Sequence, residues 1–165
     1  DALAEKVNAG CDGMSMLPYF CGSVIPHYDP NATATFSGVT LSHTKAHFAR
    51  SIMEAVAFML RQNLEYADAD ENSELRITGG GASSPLWSQI KSDVTKRKLY
   101  TVEESETACL GTAILSMVGE GRYSSIEEAV IATVKTKKVY APTETDYETA
   151  YDHYCQLDNK LHERK

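Results

Sequence analysis

Basic residues are the minority charge in this chain: 16 Lys and Arg stand against 23 Asp and Glu, a net charge of −7. A surface for duplex DNA or for an anionic membrane wants a basic patch, so this balance argues against both partners. It leaves room for a local phosphate site, because backbone N–H groups hold phosphate without net positive charge. Long apolar runs are missing as well, and none approaches the ~18 to 20 residues of a membrane-spanning helix. No Cys-x-x-Cys pair is present for zinc or redox chemistry, and no secretory signal is visible. Cys11, Cys21, Cys109 and Cys155 are therefore expected to be reduced thiols of a cytoplasmic protein. Internal repeats and low-complexity segments are absent too.

What is present is the material of one domain: 165 residues, 42% hydrophobic and 24% charged. The chain opens on Asp1-Ala2-Leu3-Ala4-Glu5-Lys6-Val7, which reads as the tail of a helix already under way, so it is expected to be a piece of something longer. Met14 to Phe20 is a short apolar stretch closed by Pro18, fit for a brief or edge strand. Cys21 to Thr40, with Pro26 and Asp29-Pro30-Asn31, reads as an ordered loop.

Ser42 is a candidate cap for the helix that follows. Apolar residues recur at Ala49, Ile52, Met53, Val56, Ala57, Leu60, Leu64 and Ala67, a helical period about six turns long. Ala55, Phe58 and Met59 widen the stripe until the helix is apolar nearly all round. That pattern predicts the most buried element of the domain, sandwiched between layers.

Downstream, Leu75 to Thr78 reads as a strand, Gly79-Gly80-Gly81 as a turn, and Ser84 to Thr95 as a helix with Pro85 in its first turn. Lys98 to Val102 suggests a strand and Thr107 to Val118 a helix. Ser125-Ile126-Glu127-Glu128 has the capping-box form. Lys138 to Tyr140 looks extended, and Thr143 to Lys160 forms an amphipathic helix in which Tyr147, Tyr151 and Tyr154, with Tyr140 before them, mark one packed face. Helices alternating with short strands indicate an α/β layered fold.

The sharpest chemical feature is Arg76-Ile77-Thr78-Gly79-Gly80-Gly81-Ala82-Ser83-Ser84-Pro85, where a strand ends, three glycines follow and a helix begins. Glycine admits positive φ and lets a ligand come closer than a Cβ permits. The helix N-terminus behind it offers N–H groups and the positive end of the dipole. The same glycines would also serve a tight turn that needs them for packing alone, and both explanations stay open. No Gly-Lys-Ser/Thr follows, and position 84 is Ser, so neither the Walker loop nor Gly-x-Gly-x-x-Gly is met.

Other features carry less. The small-residue stretch Ala108 to Ile114 suits close helix packing or one wall of a nucleotide cleft. His43 and His47 are four apart, a spacing that could grip a metal, but no third ligand accompanies them, and they are expected to be structural. Glu103-Glu104-Ser105-Glu106 reads as a solvated loop or an acidic first turn. No Gly-x-Ser-x-Gly elbow is present.

Taken together, some of these residues are familiar. Ala34-x-Phe36-x-Gly38-Val39, then seven residues, then His47-Phe48-x-x-Ser51-Ile52-Met53-Glu54, resembles the second signature pattern of the FGGY carbohydrate kinases. Leu17-Pro18-Tyr19-Phe20, His27-Tyr28-Asp29-Pro30-Asn31 and Gly38-Val39-Thr40-Leu41-Ser42-His43 resemble the same region of xylulose kinases and their relatives. Gly79 to Ala82 resembles the family's adenosine-binding loop, and Ala108 to Ala113 its small-residue helix. The departures are Gly22-Ser23-Val24 in place of Gly-Glu-Arg, Thr33-Ala34 in place of Arg-Gly, and Ser84 where some members have Asn.

The resemblance implies an α/β fold of the actin-like, ribonuclease-H-like ATPase kind, a mixed sheet with flanking helices, with residues 1–165 forming the C-terminal nucleotide-binding lobe. It implies ATP, held by Gly79, Gly80, Gly81, Ala82, Ser83 and Ser84, with bare backbone at Gly80 and Gly81 against the adenosine. Mg²⁺ would be held mostly by the nucleotide and the other lobe. The sugar, a ketopentose such as xylulose, or a polyol, would be bound through an N-terminal lobe that also carries the general base. No residue of this chain is then catalytic, and the chain alone is expected to be inactive. The resemblance also admits a homodimer of the full-length enzyme. From another class, the same fold would serve as a non-catalytic actin-fold interaction module.

Overall fold

The structure is a computed structural model that describes residues 1–104 and 106–163. Its first layer is a small antiparallel pair, β1 (Ser15–Leu17) and β2 (Thr35–Ser37), with Met16 opposite Phe36. The sequence placed β2 inside a loop, because Thr-Phe-Ser is too short to show a period. The long helix α1 (Lys45–Tyr66) follows. Its cap is Thr44, two residues later than the expected Ser42. Thr44 Oγ1 accepts from Ala46 N at 3.3 Å, and Thr44 N donates to His47 Nδ1 at 3.1 Å, closing a capping box. Ser42 instead shares a hydrogen bond with Thr40 at 2.7 Å.

The second sheet is mixed. β3 (Leu75–Ile77) pairs parallel with β4 (Leu99–Val102), and β4 pairs antiparallel with β5 (Thr136–Tyr140). α2 (Pro85–Thr95) makes the parallel crossover that two such strands require. α3 (Thr107–Gly119) and α4 (Ile126–Thr133) pack on each other between β4 and β5. Ser125 caps α4 as expected, but Glu128 reaches back to Ser124 N and Oγ, so the capping box is only half formed. α5 (Glu148–His162) begins five residues later than its apolar pattern suggests, because Thr143 N is drawn aside to Asp93 Oδ1 at 2.7 Å.

The principal core lies where β1, α1, α2 and α5 meet. Leu17, Ala57, Phe58, Ile90 and Val94 are buried there with Tyr147, Tyr151 and Tyr154. Phe58 is ringed by those three tyrosines at centroid separations of 6.1, 5.8 and 5.6 Å. The expected tyrosine face is thus realised on α5. Tyr140 is buried elsewhere, at the end of β5, with its carbonyl accepting from Ser92 Oγ at 3.0 Å.

α1 is not the most buried element. Its buried positions are Arg50, Ser51, Glu54, Ala55, Ala57 and Phe58, whereas Ile52 is 36% exposed and Met53 and Val56 are half-buried. Three of its six buried positions are polar or charged, so apolar periodicity alone misplaced its inner face. α2 is the more enclosed, with Ser88 and every residue from Ile90 to Thr95 buried. It tolerates so many polar residues because they are bonded: Ser92 Oγ to the Arg97 and Tyr140 carbonyls, and Thr95 Oγ1 to Lys91 O.

A charge placed at Ala57, which is fully buried, should cost about 3 to 5 kcal/mol. The same change at half-buried Val56 should cost distinctly less. Urea melts of Ala57→Asp and Val56→Asp check the order, and equal loss would mean that α1 is buried all round after all. A second outcome concerns acid. Arg61 grips Glu148 with two hydrogen bonds of 3.0 Å and Lys96 adds a contact of 2.6 Å. Together they hold the carboxyl at about 2 instead of 4.5. A depressed carboxyl contributes stability above its ordinary value and loses it as the pH falls toward the folded value. Glu148→Gln should therefore flatten the acid limb of the stability profile between about 4.5 and 2 and lower stability slightly near pH 7, where the wild-type pair is fully formed. Because the pair is partly exposed, the effect should be small and should shrink in salt.

Candidate functional site

β3 ends at Ile77, and the backbone passes through Gly79, a 3-10 turn at Gly80–Ser83, and Ser84 before α2 starts at Pro85. Gly79, Gly80, Gly81, Ala82, Ser83 and Ser84 therefore form one continuous strand-to-helix turn, closed by Ala82 N on Gly79 O at 3.0 Å. The three glycines serve three different needs. Gly79 sits at φ +76°, ψ −171°, a region that side-chain-bearing residues rarely adopt. Gly81 makes room for the protein itself, since a Cβ there would lie 3.3 Å from the Trp87 ring and 3.5 Å from Lys91 Nζ. Gly80 lies outside the left-handed region, and its Cβ would meet nothing within 4 Å. The bare backbone expected at both Gly80 and Gly81 is thus open to solvent at Gly80, while the space above Gly81 is already filled.

Trp87 is the anchor beneath this turn. Its indole N–H donates to the Met53 carbonyl of α1 at 2.9 Å, and Lys91 Nζ lies 4.1 Å from its ring centroid. Lys91 is buried, its ammonium forms no hydrogen bond or ion pair among the described residues, and burial holds it below the ordinary lysine range. Sequence reasoning passed over both side chains. Their signal was the four-residue spacing immediately after the glycine turn, which puts Trp87 and Lys91 on one face of α2.

The two serines are already engaged. Ser83 Oγ donates to Gly80 O at 2.6 Å. Ser84 Oγ accepts from Trp87 N at 3.1 Å, capping α2, and donates to Asp1 Oδ1 at 2.7 Å. For Ser84 to donate to a ligand, it must release Asp1.

Beside the turn is a cleft of about 80 Å³ lined by Thr78, Gly79, Ser83, Glu103, Glu104 and Lys137 among others. Ligand pockets run to several hundred Å³, so this cleft by itself does not enclose a ligand. A larger cleft of about 670 Å³ lies away from the turn, between the ends of α1 and α2. Its cations are occupied: Arg61 and Lys96 by Glu148, and Arg97 by Ser73 Oγ and Ala69 O.

The lesser candidates sort as follows. On α3, Ala108, Cys109, Gly111 and Thr112 are exposed, and Ile114 is the buried residue of the small-residue stretch. His43 and His47 serve structure: His43 Nδ1 accepts from Thr40 N at 2.8 Å, and His47 bridges the α1 cap and Asp12. Glu103 and Glu104 line the cleft, whereas Ser105 of that acidic run lies outside the described residues. All four cysteines are free thiols.

Residues 1–120 match the model of the C-terminal domain of the FGGY family of carbohydrate kinases. A xylulose kinase of Staphylococcus epidermidis is 29% identical over 164 residues, covering 98% of this chain and 33% of that protein. A glycerol kinase of Gluconobacter oxydans is 36% identical over 133 residues, covering 79% of this chain and 26% of that protein. The crystal structure of a ligand-bound xylulose kinase from Lactobacillus acidophilus superposes with a TM-score of 0.87 at 25% identity, over 97% of this chain and 34% of that one. The chain thus spans about a third of the length of the relatives it matches, and shares with them the actin-like ATPase fold. With nearly three quarters of its length inside the family model and its backbone superposing on a family member, this chain belongs to the FGGY family of carbohydrate kinases, in the region of their C-terminal domain.

Proposed function

We propose that this chain is the nucleotide-binding lobe of an ATP-dependent carbohydrate kinase of the cytoplasm. The enzyme passes the ATP γ-phosphoryl group to a hydroxyl of a sugar, a ketopentose such as xylulose, or of a polyol. The observation that carries the nucleotide site is Gly80: an unobstructed backbone position on a strand-to-helix turn, next to the N-terminus of an eleven-residue helix. There the adenosine and its first phosphate can lie against main chain, with N–H groups and the helix dipole facing the negative charge. Gly79 sets the backbone path, Trp87 fixes the turn to α1, and Ser84 caps the helix that faces the ligand.

Phosphoryl transfer rests on positioning and charge stabilisation. This lobe's share is positioning, because the 80 Å³ cleft encloses only a fraction of a nucleotide. The metal is assigned to the nucleotide and the partner lobe, as are the sugar pocket and the general base. A ketopentose is favoured by the xylulose kinases among the relatives, and a polyol by the glycerol kinase.

In the full-length kinase, Gly80→Val should raise the KM for ATP by roughly tenfold, about 1.4 kcal/mol, with little change in the KM for sugar or in the melting temperature. Gly81→Val should instead lower the melting temperature, since its side chain presses on Trp87. A Gly80→Val enzyme that keeps its ATP KM would assign the whole turn to geometry. The isolated chain should release no ADP above background with any pentulose, hexulose or polyol in a coupled assay. Sugar-dependent turnover that disappears on mutating one of its own carboxylates would place the base here and overturn the two-lobe assignment.

A further inference from the structure

Far from the glycine turn, α5 and the loop before β2 bring together His27, Asp158 and His162, whose ligand atoms all lie within 4.8 Å of one another. Asp158 has no exposed surface. Its carboxylate is held from two sides, by the Tyr19 hydroxyl at 2.6 Å and by Gln62 Nε2 at 3.1 Å. A buried carboxylate needs a compensating cation. Among the described residues no Lys or Arg pairs with it, and its one partner within ion-pair distance is His162, whose Nδ1 lies 3.3 Å away, four residues further along α5.

The hydrogen atoms around His162 narrow what that cation is. Nδ1 lies 2.8 Å from the Asp158 carbonyl, which can only accept, so Nδ1 carries hydrogen. Nε2 faces Ser23 Oγ at 3.2 Å, but Ser23 spends its own hydrogen on the His27 carbonyl at 2.7 Å. Among the described residues no group is placed to donate to Nε2, which leaves its lone pair available to a cation. The His27 ring sits alongside, its centroid 4.5 Å from that of His162.

We propose that His27, Asp158 and His162 form a binding site for a divalent transition-metal ion of the zinc class. Two imidazoles and one carboxylate are a donor set such ions take, and bonds of ~2.0 to 2.2 Å would draw the three ligand atoms somewhat closer than they now stand. The surroundings have the form of an outer shell. Tyr19 and Gln62 orient the carboxylate, and the Asp158 carbonyl fixes the His162 ring by its Nδ1–H. The ion would bind the Nε2 lone pair of His162, leaving the Nδ1 hydrogen bond intact. It would clamp the 20–30 loop onto α5, on a face of the domain that the glycine turn does not share.

The experiment uses the whole chain, freed of metal by chelator, with ZnCl₂ as the probe in calorimetry and thermal melts, and CoCl₂ for its visible spectrum. Stoichiometric zinc binding should raise the melting temperature, and cobalt should give the visible bands of a nitrogen- and oxygen-bound site. Among the described residues the His27 side chain makes a ring contact but no hydrogen bond, so His27→Gln should fold normally and bind at least tenfold more weakly. His162→Gln should lose binding, and His43→Gln, at the other histidine pair, should retain it. Absence of zinc stabilisation in the wild-type chain would overturn the site and leave the His162 contact to Asp158 a structural one. Equal binding by wild type and His27→Gln would overturn it too.

Discussion

The arrangement of this domain depends on one buried ion pair. Arg50 Nε donates to Glu54 Oε1 at 2.7 Å, with 8% and 2% of the two side chains exposed. Neither charge could remain in the interior alone, since breaking such a pair leaves an uncompensated charge out of water. The remaining bonding capacity is spent on other segments. Glu54 accepts from Gly10 N at 3.2 Å and from the Cys11 thiol at 3.4 Å, and Arg50 reaches the Tyr147 hydroxyl at 2.5 Å. One turn of α1 thus holds the 10–13 turn and the start of α5. Burial pushes the Glu54 carboxyl up while Arg50 opposes it, and burial, reinforced by Glu54, drives the Cys11 thiol well above its ordinary range. Cys11, fully buried, acts as a small hydrogen-bond donor in the core.

From this fixed helix the candidate site is placed by two further contacts. The Met53 carbonyl, one residue before Glu54, receives the Trp87 indole N–H, and Trp87 in turn fills the space that Gly81 leaves. The path from the ion pair to the glycine turn is therefore short and made of packed or hydrogen-bonded groups. A nucleotide lying on Gly80 would rest on a surface whose position is set by the core rather than by a free loop. Placing a binding surface on a helix start braced by another helix gives more precision than a loop alone.

The proposed division of labour follows from what is enclosed and what is open. The β1–α1–α2–α5 core is complete, with tyrosines packed around Phe58. The other side is open: the small residues of α3 are exposed, Leu115 and Ile131 are 60% and 82% exposed, and the cleft beside the turn is shallow. A surface that is well braced from behind and unfinished in front suits a lobe that positions one substrate against another body. The family membership and the third of the relatives' length that this chain spans accord with that geometry.

Much of the domain was legible in the sequence because it rests on local chemistry. The helix boundaries at Pro85 and Ser125, the strand into Gly79, the mixed α/β class and the FGGY pattern all depend on residue types at fixed short spacings. The inner face of α1 was not legible, because apolar periodicity assumes that buried means apolar, and here Arg50 and Glu54 satisfy each other across one turn of the helix. Nor was the separate use of Gly79, Gly80 and Gly81. Three identical residues differ only in what stands opposite each Cβ position, and Trp87 and Lys91 reach Gly81 through the packing of α2 on α1. His27 and His162 are 135 positions apart in the chain, and no spacing joins them. Local propensity and pattern determined which elements form, and tertiary packing alone decided which charges are buried together and which glycine faces open space, because both depend on groups distant in sequence.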